Sequence, residues 1–164
     1  MSDFKQILEK CKRKCASRET CGQEILDELT KKEGLEMAEK VLALLVEEKY
    51  VDNARYARSF ASEKHRINKW GIIKIRYFLQ QRKIDSVWIN EALDAVNSME
   101  YEQAAELEIK KKLRMLKSEK PGWKWKKVIQ YMYSKGYEQE LTARILSGIF
   151  KEKPVEDDFL ISEE

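Results

Sequence analysis

A short apolar spacing recurs three times along this chain at almost constant intervals. The segments 25–29, 75–79 and 128–132 each begin and end with an apolar residue, and their starts lie 50 and then 53 residues apart. Each segment is followed four or five residues later by a residue placed at a turn, namely Gly34, Lys83 and Gly136. A fixed period of this length is typical of helical repeat proteins, in which each unit packs mainly on its neighbours. The recurrence therefore predicts an all-α fold of three tandem repeats.

Apolar residues at helical spacing divide each repeat into three helices. Only six glycines and two prolines occur in the 164 residues, which leaves little turn chemistry for a many-stranded sheet. We therefore predict three tandem three-helix repeats that form an elongated, curved helical array. The predicted boundaries are 4–49, 50–98 and 99–150 for the repeats, followed by an acidic tail over 151–164 that we expect to be disordered.

The middle repeat has clear signals for where its helices begin and end. Asp52 precedes a helical pattern and is suited to capping its first backbone N–H groups. Gly71 lies where the chain must turn between two helices, and Asp85 is placed to cap the third helix. The predicted inner face of that third helix consists of Trp88, Ile89, Ala92, Leu93 and Val96.

The outer repeats carry weaker signals of the same kind. Thr20 is a candidate N-cap for the second helix, with Gln23 completing a weak capping box. The predicted apolar residues of the seventh helix are Ala104, Leu107, Ile109, Leu113 and Leu116, and those of the eighth are Trp125, Val128, Ile129 and Met132. Trp123 then points away from the buried face of the eighth helix, so it is suited either to a contact surface or to packing against Pro121 or a neighbouring repeat.

The middle repeat resembles the RecX family, the bacterial regulators of the RecA recombinase. The resemblance rests on the Tyr-Val-Asp-x-x-Arg-Tyr-Ala start at Tyr50–Ala57, the basic segment that ends at Gly71, and the apolar frame over Ile75–Leu93. Family members usually have Lys-Gly-Ile where this chain has Arg82-Lys83-Ile84. Without that glycine, Lys83 must take the left-handed conformation or the helix must end in another way. The family is known for three tandem three-helix repeats, which agrees with the period of the sequence.

The net charge of +3 hides a strong asymmetry along the chain. Residues 152–164 contain six acids and one lysine, which leaves residues 1–151 with a net charge of +8. A basic body indicates an anionic partner. The tail has three interpretations, which are a disordered terminus, an acidic-hydrophobic partner motif, and a mask that folds onto the basic body.

Two basic runs account for much of this charge. Residues 62–83 contain seven basic side chains and one acid, and residues 110–127 contain nine and one. Such runs are usually solvated helix faces, but most of these basic residues lack the compensating glutamates that surface helices use at i±4. We therefore predict a surface that faces an anion or an acidic partner. The candidate residues are Arg55, Arg58, Arg66, Lys69, Lys74, Arg76, Arg82, Lys83, Trp123, Lys124, Lys126 and Lys127.

The sequence contains no recognisable catalytic or cofactor-binding constellation. His65 is the only histidine and has no paired carboxylate or nucleophile in sequence, so we expect no enzymatic activity and no cofactor. Cys11 and Cys15 share a helix face, but structural zinc sites need four ligands, so we predict reduced, buried or half-buried thiols and no metal. No apolar run approaches the roughly 18–20 residues that span a bilayer, and no signal peptide is evident. We expect a cytoplasmic monomer with no membrane partner.

The resemblance implies a function that composition alone does not provide. It implies that the chain binds the RecA–DNA filament and inhibits ATP turnover, strand exchange and co-protease activity, with direct contact to single- or double-stranded DNA left open. A second hypothesis is a helical nucleic-acid-binding module that acts without RecA. A third is an adaptor that works through the acidic tail.

Overall fold

The computed structural model describes residues 3–117 and 120–151, and within these ranges the chain is entirely helical. The helices there are α1 (Phe4–Ser17), α2 (Gly22–Glu33), α3 (Leu35–Glu47), α4 (Asn53–Arg66), α5 (Ile72–Gln81), α6 (Ser86–Asp94), α7 (Ser98–Met115), α8 (Pro121–Lys135) and α9 (Gln139–Phe150). The all-α prediction is confirmed. The predicted tail, apart from Lys151, lies outside the described residues. None of the helices in these ranges combines the length and apolarity that crossing a bilayer requires.

The chain forms two compact units, and the middle repeat contributes to both. Unit 1 consists of Met1–Phe60 and Phe78–Ala95, and unit 2 consists of Ala61–Tyr77 and Val96–Glu164. Helices α4 and α5 therefore each pass from one unit to the other along their length.

In unit 1, α3 packs against both α1 and α2 around an apolar core. Val41 and Leu45 on α3 are fully buried in this core. Ile25 and Leu29 on α2 lie four residues apart and face the same core, as their spacing predicts. In unit 2, α7, α8 and α9 pack against one another around Val128, Met132 and Leu146, all of which are fully buried.

Three of the helices end in the same backbone turn. After α3, α5 and α8, one amide bonds back to the carbonyl five residues earlier, and the residue before it is left-handed, which is the Schellman arrangement. The left-handed residues are Lys49 (φ 63°), Lys83 (φ 52°) and Gly136 (φ 90°). The returning bonds run from Tyr50, Ile84 and Tyr137 to Leu45, Leu79 and Met132. Lys83 therefore adopts the strained alternative that its position after α5 requires.

The first repeat departs from this pattern at its second turn. Gly34 has φ 88° and ψ 161°, and its amide bonds to the Thr30 carbonyl, so α3 begins at once at Leu35. The glycine lies in a conformation that an L-residue rarely adopts, but it does not form the Schellman turn seen after α5 and α8. The recurring spacing in the sequence therefore does not produce the same backbone turn in every repeat.

Helix capping follows the prediction at Asp52 and departs from it at Thr20, and Asp85 lies at the N-cap position of α6 but its side chain forms no capping hydrogen bond. Asp52 accepts a hydrogen bond from the Arg55 amide at 3.0 Å, which confirms it as a cap of α4. Thr20 was predicted to cap α2, and this is wrong, because its hydroxyl donates to the Arg18 carbonyl and the helix starts two residues later. The first amide of α2, that of Gly22, instead donates to the side chain of Asn53 at 2.9 Å.

Two predicted core residues are on the surface. Trp88 is 38% exposed and Leu107 is 66% exposed. The buried stripe of α6 runs through Ile89, Ala92 and Leu93, and Trp88 lies about 100° away from its first member. Leu107 lies two residues before Ile109, which is buried, so a helix of about 100° per residue turns the two side chains to opposite sides.

A close backbone contact in unit 2 joins the loop before α5 to the end of α8. The Gly71 amide donates to the Lys135 carbonyl at 2.7 Å, and the Ile73 amide donates to the Gly136 carbonyl at 3.0 Å. A Cβ atom on Gly71 would lie 2.2 Å from the Gly136 carbonyl oxygen, and one on Gly136 would lie 2.2 Å from the Lys74 Cβ. Only glycine fits at either position, so we call this contact the glycine junction.

The Tyr101 side chain completes the glycine junction from α7. Its hydroxyl accepts from the Ile72 amide at 3.1 Å and donates to the Glu138 carboxylate at 2.7 Å. Burial, and then the hydrogen bond to Glu138, raise the pKa of Tyr101. The phenol therefore stays protonated as a donor to Glu138, and it satisfies the first amide of α5.

Replacing Lys83 with glycine should stabilise the protein. The left-handed conformation costs an L-residue about 1–2 kcal/mol, and glycine avoids this cost. Glycine also has more conformational freedom in the unfolded chain, which offsets part of the resulting stabilisation. We expect Lys83→Gly to raise the free energy of unfolding by about 0.5–1 kcal/mol in urea denaturation. Lys83→Ala is the control, because it removes the charge but keeps the Cβ. An equal rise in the free energy of unfolding in both variants would show that the left-handed backbone at Lys83 is not strained.

Adding one methyl group at the glycine junction should destabilise the protein. In Gly71→Ala the new Cβ meets backbone atoms that cannot rotate away, and overpacking of this kind costs about 1–3 kcal/mol. Gly148→Ala is the matched control, because a Cβ there meets nothing within 4 Å and the position lies inside α9. Helix propensity should make that control about 0.5–1 kcal/mol more stable. Equal unfolding free energies in urea for the two variants would contradict the account of the junction.

Candidate anion-binding surface

The glycine junction brings together basic side chains from two separate parts of unit 2. One group lies at the end of α4, in the following loop and at the start of α5, and the other lies at the end of α8. We call both groups of basic side chains, together with the indole of Trp70, the junction surface. Its members are Lys64, Arg66, Lys69, Trp70, Lys74 and Lys135.

Three ammonium groups of the junction surface are held by uncharged backbone carbonyls. The pairs are Lys69 with the Arg66 carbonyl at 2.7 Å, Lys74 with the Ser134 carbonyl at 3.4 Å, and Lys135 with the Asn68 carbonyl at 2.9 Å. A carbonyl fixes the position of an ammonium group but does not cancel its charge. Part of the entropy cost of ordering these side chains for a ligand is therefore already met in the folded protein.

Trp70 lies among the lysines of this surface. The Lys64 nitrogen is 5.4 Å from the centroid of the Trp70 ring, and the Lys74 nitrogen is 4.5 Å from it. The ring is half-buried, and the Trp70 carbonyl accepts a hydrogen bond from Nδ1 of His65 at 3.2 Å. Cation–π attraction places two positive charges near one indole, so the like charges are gathered together.

Carboxylates neutralise only part of this charge. Glu63 lies 3.7 Å from Lys64, and Glu108 lies 3.9 Å from Lys135. Glu108 is buried and also accepts from the Tyr131 hydroxyl at 2.8 Å; burial, and then this hydrogen bond, raise the pKa of Tyr131 to about 12. Across residues 3–117 and 120–151, no ion pair forms to Arg66, Lys69 or Lys74, which belong to the junction surface and were all predicted as candidates.

Two other predicted candidates have internal partners in unit 1. The Arg55 guanidinium contacts Glu19 at 2.5 Å and also donates to the carbonyls of Lys49 and Tyr50 at 3.2 and 3.3 Å. The Arg82 guanidinium lies 4.9 Å from the centroid of the Phe60 ring and donates to the Phe78 carbonyl. These contacts hold α4 and the end of α5 in place.

The remaining candidates lie at four other places in the chain. Arg58 on α4 and Lys83 after α5 are exposed, and Arg76 on α5 is half-buried. Near the start of α8, Lys124 is half-buried, Lys126 is exposed, and the Lys127 nitrogen lies 5.6 Å from the centroid of the half-buried Trp123 ring. A lysine of its own helix thus partly covers Trp123, and this contact decides neither for a contact surface nor for packing against Pro121 or a neighbouring repeat.

The cysteines form no binding site in the part of the chain that is described. Cys11 and Cys21 are buried and Cys15 is half-buried, and all three are free thiols. Burial raises the pKa of each thiol, which keeps them protonated and poor as metal ligands. No cluster of three or more metal-ligating side chains occurs among residues 3–117 and 120–151.

The predicted candidates did not include three members of the junction surface. Lys64 belongs to the first basic run, Trp70 precedes the predicted turn at Gly71, and Lys135 precedes the predicted turn at Gly136. Each of the three therefore lies in or next to a feature that the sequence predicts, either a basic run or a turn. Nothing in the sequence shows that the turns at Gly71 and Gly136 meet.

The chain is similar in sequence to two bacterial proteins named Regulatory protein RecX. It is 34% identical to the one from Clostridium acetobutylicum over 135 residues, which cover 79% of this chain and 62% of that protein. It is 32% identical to the one from Geobacillus sp. (strain WCH70) over 134 residues, which cover 80% of this chain and 49% of that protein. The chain thus spans about half to three-fifths of the length of these curated relatives.

A family comparison and two solved structures agree with these relatives. Residues 52–93 match the family description "RecX, second three-helix domain". The fold is similar to the crystal structure of RecX from Lactobacillus salivarius, with a TM-score of 0.77 and 14% identity over 90% of this chain and 97% of that one. A second crystal structure, of regulatory protein RecX, has a TM-score of 0.76 and 19% identity over 87% of this chain and 70% of that one. The chain belongs to the RecX family.

Proposed function

We propose that this chain regulates a RecA recombinase by binding the RecA–DNA filament and inhibiting its ATP turnover, strand exchange and co-protease activity. The relatives named Regulatory protein RecX support the regulatory role. The observation that carries the proposal furthest is the junction surface, where backbone carbonyls hold the ammonium groups of Lys69 and Lys74 without neutralising them. A filament of protein and DNA offers acidic side chains and phosphates to such a surface.

Inhibition follows if the chain binds one state of the filament more tightly than the others. A ligand shifts a conformational equilibrium only by its difference in affinity for the two states. Cations whose positions are fixed by Arg66, Ser134 and Asn68 carbonyls suit only a partner whose anions have a matching spacing. Binding would then stabilise the filament state that presents this spacing and slow the conformational changes that ATP turnover requires.

Charge reversal on the junction surface should weaken inhibition of ATP hydrolysis. The assay is single-strand-DNA-dependent ATP hydrolysis by RecA with increasing amounts of the chain. The variant Arg66→Glu with Lys69→Glu should need about 10-fold more protein for half-inhibition, which corresponds to about 1.4 kcal/mol of binding energy. Both side chains are exposed, so the two substitutions should leave the fold intact.

The matched control is Lys5→Glu with Lys31→Glu, which makes the same charge change at exposed positions on α1 and α2. The control should inhibit like the unchanged chain. No effect of the unchanged chain on ATP turnover at any ratio would exclude the proposed regulation. If variant and control lost inhibition equally, binding would depend on the overall charge of the chain and not on the junction surface.

A second candidate function is nucleic-acid binding that does not need a recombinase. It is favoured by Trp70, because an aromatic ring set among lysines is common where proteins bind single strands. The adaptor hypothesis depends on residues 152–164, which lie outside the described residues.

A further inference from the structure

We infer that a groove between α1 and α2 in unit 1 binds an acidic peptide segment of a partner protein, with a large apolar side chain of that segment seated in the groove. The groove has a volume of about 300 Å³, and the residues that line it lie between Gln6 and Glu33. It therefore shares no residue with the junction surface, and the inference goes beyond the proposed function.

Apolar residues from the core of unit 1 form the floor of the groove. They are Ile7 and Cys11 on α1 and Ile25 and Leu29 on α2, and all four are buried. Because the packing of the core holds these side chains, the floor is largely formed before a ligand arrives, as is usual for ligand sites. The volume lies at the lower end of the roughly 300–1,000 Å³ typical of such sites, which suits single side chains of a peptide.

Some of the charge around the groove is already neutralised. The Lys14 ammonium group on α1 contacts the Glu28 carboxylate on α2, and Lys32 contacts the same carboxylate at 2.8 Å. Lys14 also lies 3.5 Å from Glu24. The hydrogen bond from Lys14, and then the one from Lys32, lower the pKa of Glu28 to about 2, so this carboxylate stays charged. These ion pairs bridge α1 and α2 and are not part of the surface that receives the ligand.

Two cations on α1 have no carboxylate partner among residues 3–117 and 120–151. Lys10 lines the groove, and Arg13 follows three residues later, so the two exposed side chains are neighbours on one side of the helix. Glu9, the acid next to Lys10 in sequence, lies 3.8 Å from Lys12 instead. On α2, Glu33 lines the groove. A carboxylate of the ligand is therefore attracted toward α1.

An apolar floor with charges beside it is the usual arrangement of a protein-binding site. Protein interfaces centre on apolar side chains that become buried, with polar and charged groups around them. An acidic segment fits because its apolar side chain covers the floor while its carboxylates meet Lys10 and Arg13. A strand of nucleic acid fits less well, because Glu28 and Glu33 line the groove and none of its described lining residues is aromatic. A basic segment would meet Lys10 and Arg13 with like charge.

The test measures binding of a fluorescein-labelled peptide, Glu-Asp-Phe-Leu-Asp-Glu, to the full chain by fluorescence anisotropy. A second peptide has serine in place of phenylalanine and leucine, which keeps the charge but removes the apolar side chains. It should bind at least about 10-fold more weakly, because the floor of the groove then gains no apolar contact. The comparison needs no change in the protein, so folding does not affect it.

The matching change in the protein is Lys10→Gln with Arg13→Gln. It removes both cations at exposed positions and should raise Kd for the first peptide about 10-fold. Lys31→Gln with Lys111→Gln is the control, because these exposed positions on α2 and α7 do not line the groove, and Kd should stay unchanged. Circular dichroism verifies that each variant is folded. In NMR spectra the peptide should shift amide signals of α1 and α2 more than that of Gly71.

Three results would overturn the inference. Equal weakening by the double variant and its control would show attraction to the overall charge of the chain. Equal affinity for the two peptides would show that the floor of the groove is not used. Binding that appears only after Phe159→Ser with Leu160→Ser would assign the groove to the acidic and apolar segment 157–161 of the chain itself and not to a partner. Each of these results leaves the proposed function standing, because that function depends on the junction surface.

Discussion

The approach of the Gly71 and Gly136 backbones is the constraint on which the rest of unit 2 depends. Two amides of the segment that starts α5 bond to carbonyls at the end of α8, at 2.7 and 3.0 Å, and a third bonds to the Tyr101 hydroxyl of α7. The first amides of a helix have no partner inside it, and here the neighbouring helices supply one. Because a Cβ on either glycine would overlap its neighbours, this arrangement needs glycine on both sides.

The same contact gives the junction surface its chemistry. Lys74 and Lys135 reach across the glycine junction to carbonyls on the opposite segment, which fix both ammonium groups, and Lys135 also lies 3.9 Å from the Glu108 carboxylate. Other basic residues serve different purposes. Lys14 on α1 pairs with Glu24 and Glu28 on α2, and such pairs neutralise charge inside unit 1. In unit 2, by contrast, the Lys69 and Lys74 ammonium groups of the proposed binding surface are held by backbone carbonyls, which do not neutralise them.

Local signals in the sequence were enough to predict many of the helices and some of their ends. The buried pair Ile75 and Leu79 follows from helical spacing, Asp52 acts as the predicted cap, and Lys83 takes one of the two conformations open to it. These features depend on residues within one or two turns of each other.

Features that depend on distant residues could not be predicted in this way. Thr20 has the chemistry of a cap, yet Asn53 from α4 satisfies the first amide of α2. The glycine junction joins residues 65 positions apart, and neither turn signal names its partner. For that reason Trp70 and Lys135 were not among the predicted candidates, although their neighbours were recognised as turns.

Amide hydrogen exchange at Gly71 and Ile73, followed by NMR, tests the glycine junction most directly. If the junction holds, both amides exchange as slowly as that of Tyr137, which bonds to Met132 within the turn after α8. The reason is that all three amides then become exposed only when this part of unit 2 opens. Exchange at Gly71 and Ile73 as fast as in an unstructured loop, with Tyr137 still protected, would contradict the account. The cations of the junction surface would then have no fixed positions.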